Sequence, residues 1–394
     1  MNRFVVLALG FLVLFVGGGV RFAIGLTLKP ITEEFAIGRG LLGLTVAVYL
    51  VVTSASMFLS GHLADRLSAR GVMLAGLLVS AAGLGLMDLV SAPWQVFAAY
   101  GVIFAVGNGI ASITLVSLMV SRAFPERAGL ANGIVSAGMS AGQLVIIAGF
   151  SLLLARSGWR SVFLWGALAH VVLLPLVLAA IRPDARPAPA AGGAPAAASA
   201  APSVGLAAAA TTPRFWLLVA VYALCGLDDF FVTTHVVALA QDRGVDVLLA
   251  GNLLAFMGLA GFVGVIAAGA WSDRSGPMLP ALACFLARIA AFVLVLLDQS
   301  PASIAVFALV FGFTFLMTAP LLVIFARDAF GTASLGAITG LVVMIHHMAG
   351  GLGAWAGALL FDARGSYDWA FAAMLGSCVL ASLLTLGLAR PRPA

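Results

Sequence analysis

Long apolar runs occupy most of this sequence. A helix needs about 20 predominantly apolar residues to cross the hydrocarbon core of a bilayer. Twelve such runs follow one another along the 394 residues, which leaves no room for a large soluble domain. We therefore predict an all-α membrane protein with twelve transmembrane helices, at residues 4–28, 41–60, 71–90, 95–120, 128–155, 160–181, 214–240, 247–270, 277–297, 301–325, 333–361 and 368–388.

The charge content agrees with a lipid environment. Charged residues make up 9% of the chain and hydrophobic residues 63%, whereas about 25% of the residues in a soluble globular protein are charged. This balance excludes a cytosolic enzyme and a disordered protein. The basic residues are scattered between the apolar runs and form no patch, so we expect no nucleic-acid partner.

The sequence lacks the motifs of common enzyme and metal sites. It has no HExxH and no Walker loop, so we predict neither an enzyme nor ATP-driven transport. Cys225, Cys284 and Cys378 lie far apart and show no CxxC spacing. We therefore expect no disulfide framework, no metal centre and no cofactor.

An Ala-, Pro- and Gly-rich segment divides the twelve runs into six and six. It cannot form a core, because it has almost no large apolar side chains, and we interpret it as a cytoplasmic linker at 183–213. The predicted domains are a six-helix bundle at 1–182 and a second one at 214–394. A Gly-x-x-x-Asp-Arg pattern occurs in both halves 208 residues apart, at Gly61, Asp65 and Arg66 and again at Gly269, Asp273 and Arg274.

The distribution of basic residues predicts the orientation of the chain. With the N-terminus inside, twelve of the 20 basic residues fall in cytoplasmic segments and six in outside loops. Cytoplasmic loops of membrane proteins carry an excess of Lys and Arg. We therefore expect a multi-pass protein of the inner (cell) membrane with both termini in the cytoplasm.

The repeated pattern resembles the signature of the major facilitator superfamily. Its first copy, Gly61-x-x-x-Asp65-Arg66-x-x-x-Arg70, lies between spans 2 and 3, as in that family, and the resemblance covers the whole chain. It implies two pseudo-symmetric bundles that rock around a central substrate site. Asp65 beside a helix end, with arginine donors nearby, can hold helix ends together in one conformation and release them in another. We assign this conformational latch to Gly61, Asp65, Arg66, Arg70, Asp273 and Arg274, with plain orientation signals as the alternative.

Three further segments resemble the monocarboxylate-transporter and oxalate/formate-antiporter group. They are Phe124–Gly133, Thr234–Gly244 and His347–Tyr367. This resemblance implies an organic-anion substrate that is moved with a proton or exchanged. That group often places an Arg in helix 8 to hold the carboxylate, whereas residues 251–270 contain no Arg or Lys. Another cation would have to hold the substrate here.

Arg21 is the first candidate for that cation. A charge within the bilayer costs at least about 2.5–3.5 kcal/mol, so it needs a functional or structural reason. Arg21 follows three glycines in the first span, and a guanidinium can hold a carboxylate through two parallel hydrogen bonds. The alternative is a structural ion pair with Asp229, which lies 208 residues further along and across the predicted cavity.

Span 7 carries the candidates for proton coupling. Asp228 and Asp229 are adjacent, and two carboxylates in a low dielectric are not both freely ionised, so one carries a proton or pairs with Arg21. We assign them to proton coupling or gating, with a purely structural role as the alternative. His235 lies two turns after Asp228, and the ordinary histidine pKa of about 6.5 suits a proton relay or a hydrogen bond to substrate. A histidine at the membrane interface is the alternative.

Five other polar or charged residues lie within the apolar runs. His346 and His347 are consecutive and their side chains point about 100° apart, so we expect one to face the cavity, and the resemblance favours His347. Asn108 and Gln143 either bind substrate or form helix–helix hydrogen bonds. The resemblance makes helix 9 an outer support, so for Arg288 we expect either a partner on a neighbouring helix or a side chain that extends toward the membrane surface.

Three functions remain open. The first is a secondary transporter of a mono- or dicarboxylate, driven by proton symport or anion exchange. The second is a proton-coupled exporter of drugs or cations that uses the Asp pair, and the third is a membrane sensor without transport. We favour the first, with a small organic anion, protons in the symport case and the lipid bilayer as partners. Nothing in the sequence indicates oligomerisation, so we expect a monomer.

Overall fold

The computed structural model of the protein describes residues 3–181, 205–331 and 334–388, and over these ranges every regular element is a helix. Twelve of the helical segments are long and apolar enough to cross a membrane. We label them α1 to α12, and their bounds are Arg3–Glu34, Arg39–Arg66, Ala69–Asp88, Pro93–Ala123, Ala128–Ser157, Trp159–Ala180, Pro213–Asp242, Val247–Ser275, Met278–Leu297, Pro301–Phe330, Leu335–Arg364 and Asp368–Gly387. The predicted all-α fold with twelve spans is confirmed.

Most predicted spans agree with the helices to within a few residues, but α1 continues to Glu34 beyond the predicted end at residue 28. Hydropathy detects only the apolar part of a helix, and the last turns of α1 are polar. These turns are stabilised by partners on other helices. Lys29 Nζ lies 3.1 Å from Asp242 of α7, and Glu34 lies 2.7 Å from Arg160 of α6.

Among the described helices, three of the spans are interrupted. The helix of α1 breaks at Arg21–Phe22, α4 contains a π-helical segment at Phe97–Phe104 and a break at Ala111–Ser112, and α10 breaks at Leu316–Met317. Interrupted helices are tolerated at membrane depth where the backbone borders protein or a water-filled cavity. Such breaks frequently mark the binding sites of transporters.

Close helix pairs connect the spans within and between the two halves. Within the halves, α1 packs on α5 and α7 packs on α11, whereas α2 packs on α11 and α5 packs on α8 across the halves. Glycines permit the first two approaches, since a β-carbon at Gly142 would overlap the carbonyl oxygen of Phe15 and one at Gly226 would overlap that of His346. Small residues at such interfaces are the usual way in which membrane helices approach closely.

The segment between α6 and α7 is described only at its end. Residues 182–204, most of the predicted linker, lie outside the described residues. Leu206–Ala209 form a short helix, and α7 begins at Pro213 after Thr212, whose side chain accepts a hydrogen bond from the Phe215 amide. The division into two bundles at this linker stays a prediction.

Candidate functional site

A cavity of about 830 Å³ lies at the centre of the helices. Its lining comes from α1, α2, α4 and α5 of the first six spans and from α7, α8, α10 and α11 of the last six. Among the described residues, α3, α6, α9 and α12 contribute none of the lining. The cavity therefore lies between the two halves, and the remaining four helices support it from outside.

The cavity extends toward one end of the bundle, which we call the open face. Three glycines line it there and are exposed, namely Gly133 near the start of α5 and Gly336 and Gly340 in the first turns of α11. At the opposite end, the closed face, the halves are in direct contact. A β-carbon at Gly25 of α1 would lie 2.6 Å from the carbonyl oxygen of Thr233 of α7. The cavity is thus accessible from one side of the bundle.

Arg21 lines the cavity at the break in α1 and has no anionic partner. No carboxylate of the described residues forms an ion pair with it, and its buried Nε donates no hydrogen bond. Its guanidinium lies 4.6 Å from the ring centre of Phe22. The Tyr100 hydroxyl donates to the backbone oxygen of Arg21 at 2.6 Å, which fixes the backbone but leaves the charge unmatched. The alternative of an ion pair between Arg21 and Asp229 is wrong for this conformation.

Asp229 lines the same cavity but pairs with Arg288 of α9. Arg288 Nη2 lies 2.7 Å from Asp229 Oδ1, and both side chains are buried. The two groups form an ion pair, but their alignment is not that of a hydrogen bond. Arg288 also donates to the Thr314 hydroxyl at 3.2 Å and to the Thr314 carbonyl at 3.1 Å. The expected partner of Arg288 on a neighbouring helix is therefore present. The 208-residue offset could not reveal this pair, because the contact depends on how the helices of the second half pack around one another.

Asp228 faces away from the cavity, into the contact between α7 and α12. Ser377 Oγ donates to one of its carboxylate oxygens at 2.5 Å and Cys378 Sγ to the other at 2.9 Å. Its side chain is fully buried and does not line the cavity. Adjacent residues on a helix point about 100° apart, so the two aspartates have separate environments. The role of Asp228 in proton coupling stays a prediction.

Polar side chains on the first half surround Arg21. The Tyr49 hydroxyl donates to Asn108 Oδ1 at 2.9 Å, and Asn108 Nδ2 donates to the Gly17 carbonyl at 3.4 Å. Asn108 thereby joins α1, α2 and α4 and also lines the cavity. Gln143 borders the cavity as well, but its Nε2 donates to the Leu254 carbonyl of α8 at 3.1 Å. Both residues thus make helix–helix hydrogen bonds, and their contact with substrate stays a prediction.

Both histidines of α11 line the cavity, which corrects the expectation that only one would. Side chains of consecutive helical residues point about 100° apart, and here both of them border the cavity. His346 Nδ1 donates to the Tyr222 carbonyl at 3.0 Å, and its Nε2 lies 3.7 Å from Asp229. His347 donates to the Val343 carbonyl at 2.8 Å.

His235 lies outside the cavity, which corrects its assignment to the substrate site in this conformation. It is 2% exposed and sits at the closed face. Its Nε2 donates to the Ala354 carbonyl at 2.8 Å, and its Nδ1 lies 2.9 Å from the hydroxyl of Tyr367. A neutral ring satisfies both contacts, because Nδ1 then accepts the Tyr367 proton.

A set of charged and polar side chains joins the halves beside His235. We call Lys29, Arg39, Asp242, Asp362 and Tyr367 the closed-face network. Arg39 of α2 lies 2.7 Å from Asp242 of α7 and donates to the Tyr367 hydroxyl at 2.7 Å. The carboxylate of Asp362 of α11 accepts the amide protons of Arg39 at 2.8 Å and of Gly40 at 2.7 Å. An acidic side chain of one half thus caps the N-terminus of a helix of the other, where the helix dipole favours a negative charge.

The predicted latch residues lie near the open face. The side chains of Gly61, Asp65 and Arg66 are outside the described part of the chain, although α2 is helical to Arg66. Arg70 is partly exposed in the first turn of α3. Asp273 and Arg274 are exposed in the last turn of α8 and make no ion pair with a described residue. The latch stays a prediction.

One group of side chains has the spacing of metal ligands. The ligand atoms of Cys225, Asp229 and His346 lie within 4.8 Å of one another. The sequence shows that the two histidines of α11 are adjacent, but it does not show that His346 meets residues of α7. Arg288 already lies against Asp229 and donates to the Cys225 sulfur at 3.5 Å. A cation would have to displace this guanidinium, so the arrangement fits an ion pair better than a metal centre.

Sequence reasoning missed residues whose roles depend on contacts between the halves. Lys29 and Arg39 are among the six basic residues that the predicted topology places in outside loops, and nothing in the sequence indicates a partner for them or for Tyr49. Asp242, Asp362 and Tyr367 lie in segments that carry the family resemblance. Their position in those segments, next to helix ends, is the feature of the sequence that could have indicated a role for them.

Comparisons with known proteins agree with this architecture. A family model described as Major Facilitator Superfamily matches residues 10–354 and 221–394. A crystal structure of a bacterial homolog of the human lysosomal transporter Spinster, in an inward-facing and occupied conformation, superposes with a TM-score of 0.83 at 14% identity. The match covers 98% of this chain and 97% of that one, so the two share a fold.

Relatives by sequence include proteins named as transporters. The chain is 24% identical to the uncharacterized MFS-type transporter YcxA of Bacillus subtilis, over 86% of this chain and 83% of the relative. It is 27% identical to mouse monocarboxylate transporter 4, over 92% of this chain and 78% of that one. It is 25% identical to the oxalate:formate antiporter of Oxalobacter formigenes, over 46% of this chain and 43% of that one.

Proposed function

Because this chain belongs to the major facilitator superfamily, we propose that it is a secondary transporter that moves a small organic anion, a mono- or dicarboxylate, across the membrane. In this proposal the two halves rock around the central cavity, which opens to one side of the membrane and then to the other. The twelve spans identify a multi-pass membrane protein. The central cavity supplies the place where a small molecule would bind.

The observation that carries the proposal is the unmatched charge of Arg21. Its guanidinium lies in a mostly apolar cavity, at a break in α1, without a carboxylate partner among the described residues. An arginine within the bilayer is costly, and one that faces a cavity without a partner is by default a candidate for the substrate pathway. A substrate carboxylate would supply that charge and could accept two parallel hydrogen bonds.

The relatives support the same substrate class. Monocarboxylate transporter 4 and the oxalate:formate antiporter are named for carboxylates. Because both relatives are distant, transport measurements with several acids are needed to identify the carboxylate. Tyr49, Asn108 and His347, which border the cavity near Arg21, are our candidates for further contacts with the substrate.

The orientation of the basic residues supports an inner-membrane protein with both termini in the cytoplasm. With this orientation the open face is cytoplasmic, because it carries the described ends of α6 and α12 and the start of α7. The closed-face network then lies toward the outside. We propose that the protein works as a monomer, with the two bundles as its moving parts.

Uptake into proteoliposomes tests the proposal against its alternatives. The panel contains lactate, oxalate and a lipophilic cation, each radiolabelled. We expect flux of at least one carboxylate, loss of that flux in Arg21→Ala and unchanged protein yield in the same variant. Flux of the cation alone would support an exporter, and this outcome or the absence of any specific flux would contradict the proposal.

A further inference from the structure

We propose that the substrate is a monocarboxylate with an aromatic body, whose carboxylate binds Arg21 and whose ring packs against phenylalanine side chains of both halves. The inference rests on the proposed function and narrows its substrate class, since Arg21 alone would accept any mono- or dicarboxylate. It follows from the charges of the cavity, from the rings beside Arg21 and from the hydrogen bonds that the polar lining already makes.

The charges of the cavity provide for one carboxylate. Among the described lining residues, Arg21 and Asp229 are the ones with Arg, Lys, Asp or Glu side chains. Asp229 is matched by Arg288 at 2.7 Å, so Arg21 is the cation left for the substrate. A second carboxylate would meet no further unpaired cation of the described lining, and an unpaired charge is costly in apolar surroundings. The cavity therefore favours a monocarboxylate over a dicarboxylate.

Two phenylalanine rings border the cavity at the breaks of α1 and α10. Phe22 follows Arg21 directly, and its ring centre lies 4.6 Å from the guanidinium. Phe315 precedes the break in α10, and its ring centre lies 6.3 Å from that of Phe22 in an edge-to-face arrangement. An aromatic wall contributed by both halves therefore begins next to the charge.

Phe230 of α7 supplies a third ring of the lining. A β-carbon at Gly25 would lie 2.6 Å from the carbonyl oxygen of Thr233, so α1 and α7 touch there. Both are odd-numbered spans and cross the membrane in the same direction, and Arg21 and Phe230 each lie about one turn before this contact. The two residues are therefore at a similar depth. The ring of Phe230 also lies 5.3 Å from that of His347, which extends the aromatic wall onto α11.

Several polar side chains of the lining already use their hydrogen-bond donors within the protein. Gln143 Nε2 donates to a backbone carbonyl of α8 at 3.1 Å, and the Thr233 hydroxyl donates to a carbonyl one turn earlier in α7 at 2.9 Å. The Tyr49 hydroxyl donates to Asn108 at 2.9 Å. A substrate body with many hydroxyl groups would gain no hydrogen bond from these donors, whereas an aromatic body needs none and can pack edge-to-face on the phenylalanines.

The size of the cavity agrees with such a body. Its volume is about 830 Å³, and cavities of about 300–1,000 Å³ hold drug-sized ligands. Lactate or oxalate would fill a small part of this space and leave the phenylalanine rings in contact with water. Burial of an aromatic ring removes that contact and should raise affinity about 10- to 100-fold.

Calorimetric titration of the purified protein with four acids tests the inference. Phenylacetate is the parent, acetate lacks the ring, cyclohexylacetate has a saturated ring of similar size, and 4-carboxyphenylacetate adds a second carboxylate. We expect phenylacetate to bind about 10- to 100-fold more tightly than acetate. It should bind about two- to tenfold more tightly than cyclohexylacetate because of the aromatic pairs. We expect 4-carboxyphenylacetate to bind at least about tenfold less tightly than phenylacetate.

A substitution in the aromatic wall tests where the ring binds. Phe315→Leu keeps an apolar side chain but removes the ring, so the preference for phenylacetate over cyclohexylacetate should fall about twofold or more. This ratio does not depend on the fraction of folded protein, because both acids bind the same molecules. The matched control is Phe313→Leu on the same helix, which removes an exposed ring outside the cavity lining and should keep the wild-type ratio.

Two sets of results separate the inference from the proposed function. The aromatic monocarboxylate would be overturned, while the anion transporter stands, if phenylacetate binds no more tightly than acetate, cyclohexylacetate or 4-carboxyphenylacetate. An unchanged ratio in Phe315→Leu would likewise overturn the placement of the ring. Absence of binding for all four acids and for lactate and oxalate, or unchanged binding in Arg21→Gln, would overturn the proposed function itself.

Discussion

At the scale of single residues, the buried charges differ in whether the protein supplies their partner. Arg288 has Asp229, and Asp228 has a hydroxyl and a thiol, whereas Arg21 has no counter-charge among the described residues. The sequence could single out these residues because charges within apolar runs are rare. It could not assign their partners, because pairing depends on the rotation of each helix about its axis and on its neighbours.

The pairing of Arg288 with Asp229 predicts a non-additive effect on stability. Arg288→Gln leaves a buried carboxylate without its counter-charge and should destabilise the protein by about 3–5 kcal/mol. Adding Asp229→Asn should recover most of this loss, because no unpaired charge then remains. Thermal unfolding of the purified protein in detergent measures both effects.

The matched control for this cycle is Arg21→Gln. It removes an arginine of the same size that has no partner in the protein, so it should change stability much less than Arg288→Gln. If the double variant is as unstable as Arg288→Gln alone, or Arg21→Gln is equally unstable, the division of the arginines into paired and unpaired is incorrect.

At the scale of helices, the contacts between the halves are concentrated at the closed face. The first turn of α2 is capped by Asp362 of α11, and Arg39 is held by Asp242 and Tyr367. A change that opens this face must separate these groups and leave the amides of α2 without an acceptor. Hydropathy places such residues at helix ends but does not say which ends meet, so the closed-face network could not be predicted.

Asp362→Asn tests the cap of α2. Loss of the negative charge should weaken the bonds to the Arg39 and Gly40 amides, and bonds to a charged group contribute about 1.5–3 kcal/mol. We expect amide exchange with deuterium in the first turn of α2 to rise by about tenfold or more, because each 1.4 kcal/mol is about tenfold. Mass spectrometry of peptides that cover residues 36–50 reports this exchange.

A second carboxylate serves as the control for the cap. Asp298 accepts hydrogen bonds from Ser300 and Ser303 near the start of α10 and stays within one half. Asp298→Asn should leave exchange in α2 unchanged. Unchanged exchange in Asp362→Asn would mean that the cap does not hold the halves together.

At the scale of the whole molecule, the sequence predicts the fold better than the site. Twelve spans follow from hydropathy because each helix must bury its own backbone polar groups in lipid. The cavity between the halves was expected from the repeat, and Arg21, Asn108, Gln143, Asp229 and His347 do border it. His235 does not border it. A transporter has several conformations, and the periodicity of a helix does not show which of its turns face the open cavity in a given conformation.

The open cavity, the closed-face network and the unmatched arginine are consistent with one account of the molecule. The network holds one side closed while Arg21 is accessible from the other. A bound anion would neutralise Arg21 and permit the cavity to close around it. The central claim is therefore that Arg21 binds the substrate carboxylate directly.

Equilibrium binding of the transported carboxylate to purified protein tests this claim most directly. The variants are Arg21→Lys and Arg21→Gln. The control is Arg156→Gln, which removes an exposed arginine at the end of α5. Arg21→Lys keeps the charge but loses the two parallel hydrogen bonds, so its affinity should fall by about tenfold or more. We predict wild-type affinity in Arg156→Gln and no measurable binding in Arg21→Gln, and wild-type affinity in Arg21→Gln would contradict the account.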